Sequence, residues 1–278
     1  MIAAPKLGII AGGGNAPRQL MAACRRLGRD FFLICLEGQA DTDLPQDAPH
    51  VWMPLGAGEK LKKLFAEQAI VEVVMIGRVR RPSLTEIKPD WLALKVLTKI
   101  GINSLGDDGL LRAISKSFED EGNVRVVGVQ DVFTDLLAPA GVLTEVQPDD
   151  EAAKDIQRGI EIMRTLGGLD VGQAVVVQQG IVLGIEAIEG TDALLARCAG
   201  LRREGPGGVL IKIAKPQQDN RFDLPTIGPD TVAAVVRAGL RGIAIQAGRS
   251  LLVEREATLA AAQSAGVFIV GLSLDDAP

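Results

Sequence analysis

Residues 7–36 read LGIIAGGGNAPRQLMAACRRLGRDFFLICL. Leu7 to Ala11 is an aliphatic run of strand character. Gly12, Gly13 and Gly14 interrupt it, and Pro17 suits the first turn of a helix, where a missing N–H costs little. Leu20, Met21, Cys24 and Leu27 then recur at helical spacing. Gly28 closes the helix, and Phe31 to Leu36 is a second aliphatic strand. Strand, glycine loop, helix, strand is the opening of a Rossmann-like parallel sheet. A glycine loop ahead of a helix also presents backbone N–H groups to an anion, which makes Gly12, Gly13, Gly14 and Asn15 candidate substrate-binding residues. The spacing is not GxGxxG, and Glu37 after the second strand lends ribose binding only weak support. The competing reading is a tight turn that lets helix and strand pack closely.

The alternation continues downstream. Glu59 to Gln68 reads as a helix and Val71 to Ile76 as a buried strand that runs into Gly77-Arg78-Val79-Arg80-Arg81-Pro82. Ligands of open α/β sheets bind at the carboxyl ends of strands, and arginines there meet phosphates bidentately, so Gly77 and Arg78 are candidates. The alternative is a solvated basic turn. Trp91 to Ile100 is helical. Gly106-Asp107-Asp108-Gly109 precedes a helix to about Glu121, with Asp107 and Asp108 read either as caps or as ligand-binding carboxylates. Val124 to Val129 closes a first domain of residues 1–133 as its final strand. Residues 134–149, punctuated by Pro139, Gly141 and Pro148, lose the pattern and are read as a linker to a second domain, 150–278.

In that second half Glu151 to Leu166 is an amphipathic helix. Ala174 to Val177 and Ile181 to Ile185 form a hairpin around Gln179-Gly180, and a helix begins near Asp192, with Thr191 or Asp192 as its cap or as part of an anion pocket with Gly190. Val209 to Ala214 is a strand, Pro229 to Ala238 a helix, and Gly242 to Gln246 a strand. A helix from Glu254 to Ala265 and a strand from Phe268 to Leu272 follow. The expected fold is α/β: an N-terminal Rossmann-like parallel sheet and a C-terminal α/β domain with a mixed sheet. Between its strand and its prolines, residues 212–229, KIAKPQQDNRFDLPTIGP, gather Lys212, Lys215, Asp219, Asn220, Arg221 and Asp223. Such a loop holds the parts of an anion site beside carboxylates, which suits phosphate chemistry assisted by a hard cation; the plainer reading is a solvated connection.

Composition narrows the function. Of 278 residues 47% are hydrophobic but only 3% aromatic, and Tyr is absent, so the apolar mass is the Ala, Val, Ile and Leu of buried strands. A net charge of −5 with scattered Lys and Arg argues against nucleic-acid binding. Cys24, Cys35 and Cys198 lack a CxxC pattern and fit buried residues in a reducing compartment. His50 is the only histidine, which excludes a multi-histidine zinc site, and it reads as an exposed residue in a proline-rich turn. With no secretory signal and no apolar run of about 20 residues, a cytoplasmic protein is expected.

KIAKP followed by DLPTIGP, together with EGTDALLAR, AGR before LLVERE, GDDGLLR and IAGGGNAP, makes the chain resemble the LpxI-type UDP-2,3-diacylglucosamine pyrophosphatases of lipid A biosynthesis. The resemblance runs from Gly8 to Gly271. It implies a two-domain hydrolase with its site in the crevice between the domains and Mg²⁺-dependent cleavage of UDP-2,3-diacylglucosamine to UMP and 2,3-diacylglucosamine 1-phosphate. It also implies peripheral work at the inner membrane and a homodimer. The family's essential aspartate falls on Asp223, with Thr226 in the same motif. For the chemistry of pyrophosphate hydrolysis Asp223 is the candidate to bind Mg²⁺ or to orient the attacking water, with Glu189 and Asp192 as candidate second carboxylates for the metal. Lys212 and Lys215 are candidate phosphate partners, Gly190 and Thr191 complete an anion pocket, and Thr226 is a candidate substrate contact. The chain departs from the family pattern at Arg78, where asparagine is expected, and at Gln246, where glutamate is expected. Two other classes fit the glycine loop: a non-catalytic nucleotide-sugar binder and an NAD-dependent oxidoreductase. The glycine spacing and the lack of a hydride-transfer acid–base residue disfavour the second.

Overall fold

The computed structural model describes residues 4–45, 47–80, 89–100, 107–169, 171–215, 221 and 224–274. They divide into two compact units: residues 4–134 with Arg221, and residues 135–215 with 224–274.

The first unit runs β1 (Leu7–Ala11), α1 (Ala16–Leu27), β2 (Phe31–Leu36), β3 (His50–Met53), α2 (Gly58–Glu67), β4 (Glu72–Ile76), α3 (Trp91–Ile100), α4 (Asp107–Gly122), β5 (Arg125–Val126) and α5 (Val129–Val132). Its strands form one parallel sheet in the order β3-β2-β1-β4-β5. Strand order reverses between β1 and β4, and such a switch point is where open α/β sheets leave a crevice at the carboxyl ends of their strands. Ile10, Phe32, Ile34, Leu61, Phe65 and Val73 form the core on one side. Two elements differ from the sequence reading. His50 opens a strand instead of lying in a turn, its ring Nδ1 2.9 Å from the Ala48 carbonyl oxygen. The expected strand over 124–129 shrinks to β5, because the Gly128 N–H donates to the Asp131 carboxylate and starts α5.

The second unit contains β6 (Gly141–Val142), α6 (Asp150–Gly167), β7 (Ala174–Gln178), β8 (Ile181–Ile185), α7 (Gly190–Ala199), β9 (Val209–Lys212), β10 (Thr226–Ile227), α8 (Pro229–Arg237), β11 (Gly242–Gln246), β12 (Leu251–Leu252), α9 (Arg255–Ser264) and β13 (Phe268–Leu272). The main sheet has the order β6-β13-β11-β9-β7-β8, and β10 pairs separately with β12. Strands β9, β11 and β13 are parallel, whereas β6, β7 and β8 pair antiparallel to their neighbours, so the sheet is mixed. Alternate residues bury against opposite helical layers, as strands covered on both faces must. Val175, Val177, Val209 and Ile211 meet Ile156, Ile160 and Met163 of α6. Val176, Leu210, Ile243 and Ile245 share a core with Leu194, Val235 and Ala262 of α7, α8 and α9. Residues 134–149 carry β6, which pairs with β13, and Leu137 bridges to Leu251. Asp149 caps α6: one oxygen accepts the Ala152 N–H and the other meets Arg241 at 2.7 Å.

Two buried carboxylates tie these units internally. Asp155, 1% exposed, accepts the Gln179 and Gly180 N–H groups at 3.1 and 2.7 Å. Both turn residues have left-handed φ, 53° and 73°, the geometry of the tight hairpin turn between β7 and β8. Asp155→Ala leaves both donors unpaired and should lower the unfolding free energy of the second unit by about 2–3 kcal/mol. Urea unfolding checks this, and an unchanged midpoint contradicts it.

Glu72 is 8% exposed between Arg29 and Arg125. Burial pushes its carboxyl up, but hydrogen bonds and charge from the two guanidiniums outweigh that and hold it below its ordinary 4.5. The folded form therefore binds this proton more weakly than the unfolded chain. The resulting stability is complete above the ordinary value and is lost as pH falls below it through the folded value. Urea titrations from neutral pH downward should show a shallower acid loss for Glu72→Gln than for the parent chain. Equal slopes contradict the assignment.

Candidate functional site

Register brings the second unit's polar residues to one edge of its sheet. Lys212 ends β9 and lies beside Ile245 of β11 and Ala174 of β7, while Val175 pairs with Ile185 at the end of β8. Gln246 ends β11 opposite Leu272. Gln173, just before β7, and Glu186, just after β8, therefore lie on the edge that holds the carboxyl ends of the parallel strands, where ligands of such sheets sit.

Lys212 is 7% exposed and its ammonium donates to the Thr226 carbonyl at 3.1 Å. The Thr226 hydroxyl donates to the Leu224 carbonyl at 3.0 Å. The two ends of the loop read from sequence as the centre of the chemistry are thus joined. Lys215 follows, half-buried. Gln246 is buried, and its side-chain oxygen accepts the Ala214 N–H at 3.1 Å, a role one oxygen of the family's expected glutamate would serve equally. Asp223 lies outside the described residues, as do Asp219 and Asn220. Arg221 is described, and pairs with Glu119 at 2.9 Å in the first unit.

Beyond β8, Gly190 opens α7 with a φ of 81°. Thr191 is not the cap: its hydroxyl donates to the buried carboxylate of Glu186 at 2.8 Å, and the other Glu186 oxygen accepts the Gln173 N–H at 3.1 Å. Glu189 accepts the Ala187 N–H at 3.1 Å and meets Arg197 at 2.7 Å. Its own backbone N–H and Arg197 hold its carboxyl below the ordinary carboxylate range. Asp192 is exposed in the first turn of α7. Among the described residues no three His, Cys, Asp or Glu side chains converge as a metal site.

In the first unit the structure brings Gly12, Gly13, Gly14, Gly77 and Arg78 together at the switch point. The Gly12 N–H donates to the Ile76 carbonyl at 2.9 Å, and Gly13 and Arg78 exchange two backbone hydrogen bonds of 2.8 Å. The Gly14 N–H donates to the Asp41 carboxylate at 3.2 Å. A Cβ on Gly12 would sit 2.4 Å from the Arg78 carbonyl oxygen, and one on Gly77 would sit 2.9 Å from Gly12. The glycines therefore let two loops cross, and their amides donate within the protein; Asp41 must yield Gly14 before a phosphate can take that amide. The Arg78 guanidinium lies beside Gly14, its Nε 3.4 Å from the position a Cβ would take there. Asn15 precedes α1 without a side-chain capping bond. Asp107 and Asp108 form the first turn of α4; their side chains are outside the description.

Sequence reasoning passed over Glu186, Gln173 and Asp41. A carboxylate directly after the aliphatic run of β8 was the available signal for Glu186. Nothing in the sequence marks Gln173, and Asp41, four residues past Glu37, takes the place on the glycine loop that strand-end position suggested for Glu37. The thiols of Cys24 and Cys35 are pushed up to about 11 by burial, which keeps them protonated and unreactive.

Comparison with known proteins agrees with this division of the chain. The family model of the LpxI N-terminal domain matches residues 6–136, and that of the LpxI C-terminal domain matches residues 139–270. A relative from Caulobacter vibrioides, UDP-2,3-diacylglucosamine pyrophosphatase LpxI, is 40% identical over 280 residues, covering 98% of this chain and 99% of its own. With two matched domains in order over two α/β units and a relative matched end to end, this chain belongs to the LpxI family.

Proposed function

We propose that the chain hydrolyses the pyrophosphate of UDP-2,3-diacylglucosamine, releasing UMP and 2,3-diacylglucosamine 1-phosphate (lipid X) in lipid A biosynthesis. The observation that carries this reading is the full-length 40% identity to the Caulobacter pyrophosphatase. Support from the site is chemical. Pyrophosphate hydrolysis needs charge neutralisation on non-bridging oxygens, an oriented water and stabilisation of the leaving phosphate. Lys212, held buried at the end of β9, and Lys215 beyond it supply cations on one sheet edge. Thr226 is fixed against Lys212.

The oxygen-rich edge fits Mg²⁺, which takes one or two protein carboxylates and keeps several waters. The Gln173 side-chain oxygen is buried without a partner, an acceptor suited to such a water. In this reading Asp223 and Asp192 hold the ion, and Glu189 joins only by releasing Arg197. When bound, Mg²⁺ neutralises charge on the pyrophosphate. The chain's own contribution is to orient water through Asp223 and to meet the phosphates with Lys212 and Lys215.

A diacylated substrate resides in a bilayer, so the proposal includes peripheral contact with the inner membrane; the exposed apolar side chains of Leu169 and Ile188 support it. Among the described residues no helix is long and apolar enough to cross a membrane. The proposed homodimer rests on the family resemblance alone.

Incubation with UDP-2,3-diacylglucosamine and Mg²⁺ should release UMP, and chelation should stop it. Asp223→Ala and Asp223→Asn should each lower release at least about a hundredfold with unchanged thermal melting. Near-normal turnover in either variant overturns the role of Asp223. Substrate binding without UMP release overturns the enzymatic reading in favour of a nucleotide-sugar binder.

A further inference from the structure

Glu186 is 5% exposed, and both its oxygens are engaged, one by the Thr191 hydroxyl and one by the Gln173 N–H. An ionised carboxylate only accepts, and a backbone N–H only donates. The single proton of the Thr191 hydroxyl is therefore spent on Glu186, and only lone pairs remain on its oxygen. Tied to the same carboxylate is Gln173, whose side-chain oxygen is buried and unpaired, although buried polar atoms are generally partnered. The Gln173 carbonyl also accepts the Ile213 N–H at 3.1 Å, which sets this carboxylate and the Thr191 oxygen it polarises beside the end of β9. A bare phosphate oxygen is an acceptor too and is repelled there. The group that fits carries O–H: a sugar hydroxyl of the substrate, or water held on a cation.

We propose that Glu186 is a positioning residue that fixes the polarity of the Thr191 hydroxyl, making the Thr191 oxygen an acceptor for an O–H donor of the bound ligand. This rests on the pyrophosphatase reading and changes one part of it: Thr191 accepts from the ligand and does not donate to phosphate.

Glu186→Gln tests the idea without removing volume. Because the Gln173 N–H can only donate, the new amide oxygen must face it and the NH₂ must face Thr191. The Thr191 oxygen then accepts from the protein, and its proton turns toward the ligand. Glu186→Gln, Thr191→Val and Thr191→Ala should each weaken ligand engagement about 10–100-fold, with the Glu186→Gln/Thr191→Ala double variant no worse than the poorer single one. Thr191→Ser should behave like the parent. Three readouts separate the cases: calorimetric affinity for UDP-2,3-diacylglucosamine, Mn²⁺ affinity by electron paramagnetic resonance, and UMP release. Weaker Mn²⁺ binding identifies the donor as metal-held water; weaker substrate affinity with Mn²⁺ binding unchanged identifies a sugar hydroxyl. Parent-like values for Glu186→Gln in both binding measurements overturn the proposal. So does a loss that merely follows a lowered melting temperature while Thr191→Val binds normally. A parent protein that binds but releases no UMP overturns the enzymatic reading alone, and the two binding measurements still decide the role of Glu186.

Discussion

A lysine ammonium buried at the end of a central strand must be met by acceptors, because an unpaired buried charge costs several kcal/mol in lost hydration (about 3–5 when one partner is removed). Lys212 stands in that position, with β11 on one side and β7 on the other. Its bond to the Thr226 carbonyl obliges the chain that leaves β9 to come back over the sheet edge. Parallel pairing of β10 with β12 and the Leu251 N–H bond to the Pro225 carbonyl lock the return. The two described ends of the loop that carries the family's DLPTIGP motif are thus anchored on rigid elements, the kind of scaffold from which loops carry function.

The two units spend their polar groups differently. At the first unit's switch point the glycine amides satisfy one another's loops, and Asp41 takes the last of them. The cost of close packing between the β1 and β4 loops is that little backbone donor capacity is left over. At the second unit's edge Glu186 takes the Gln173 backbone N–H and the Thr191 hydroxyl proton, leaving the Thr191 oxygen as an acceptor, while Lys212 and Lys215 supply cations. Cations beside acceptors suit a ligand that brings phosphates together with hydroxyl groups or hydrated metal.

The sequence made the long aliphatic strands and their helices legible, since Leu7–Ala11, Val209–Ile211 and Phe268–Leu272 are buried on both faces and carry little else. The hairpin was legible for a local reason, the left-handed turn at Gln179-Gly180. Short elements were not: β3 begins at a histidine, and β5 gives way to α5 through a side-chain bond from Asp131 that no periodicity encodes. The site was legible in part. Lys212 and Thr226 were found in one loop, and the structure joins them; Asp223 came from a motif match and lies outside the described residues. Glu186 and Gln173 were hidden because their importance comes from a register that places the start of β7 beside the end of β8, a long-range pairing with no local signature.

The central claim is that the carboxyl edge of the second sheet is where the ligand's metal and pyrophosphate sit. Paramagnetic broadening of assigned backbone amides by Mn²⁺ in the presence of UMP measures this directly. The account predicts broadening centred on Gln173, Glu186 to Asp192, Lys212 to Lys215 and Thr226. Broadening confined to the glycine loop of the first unit, with those amides unaffected, would contradict it.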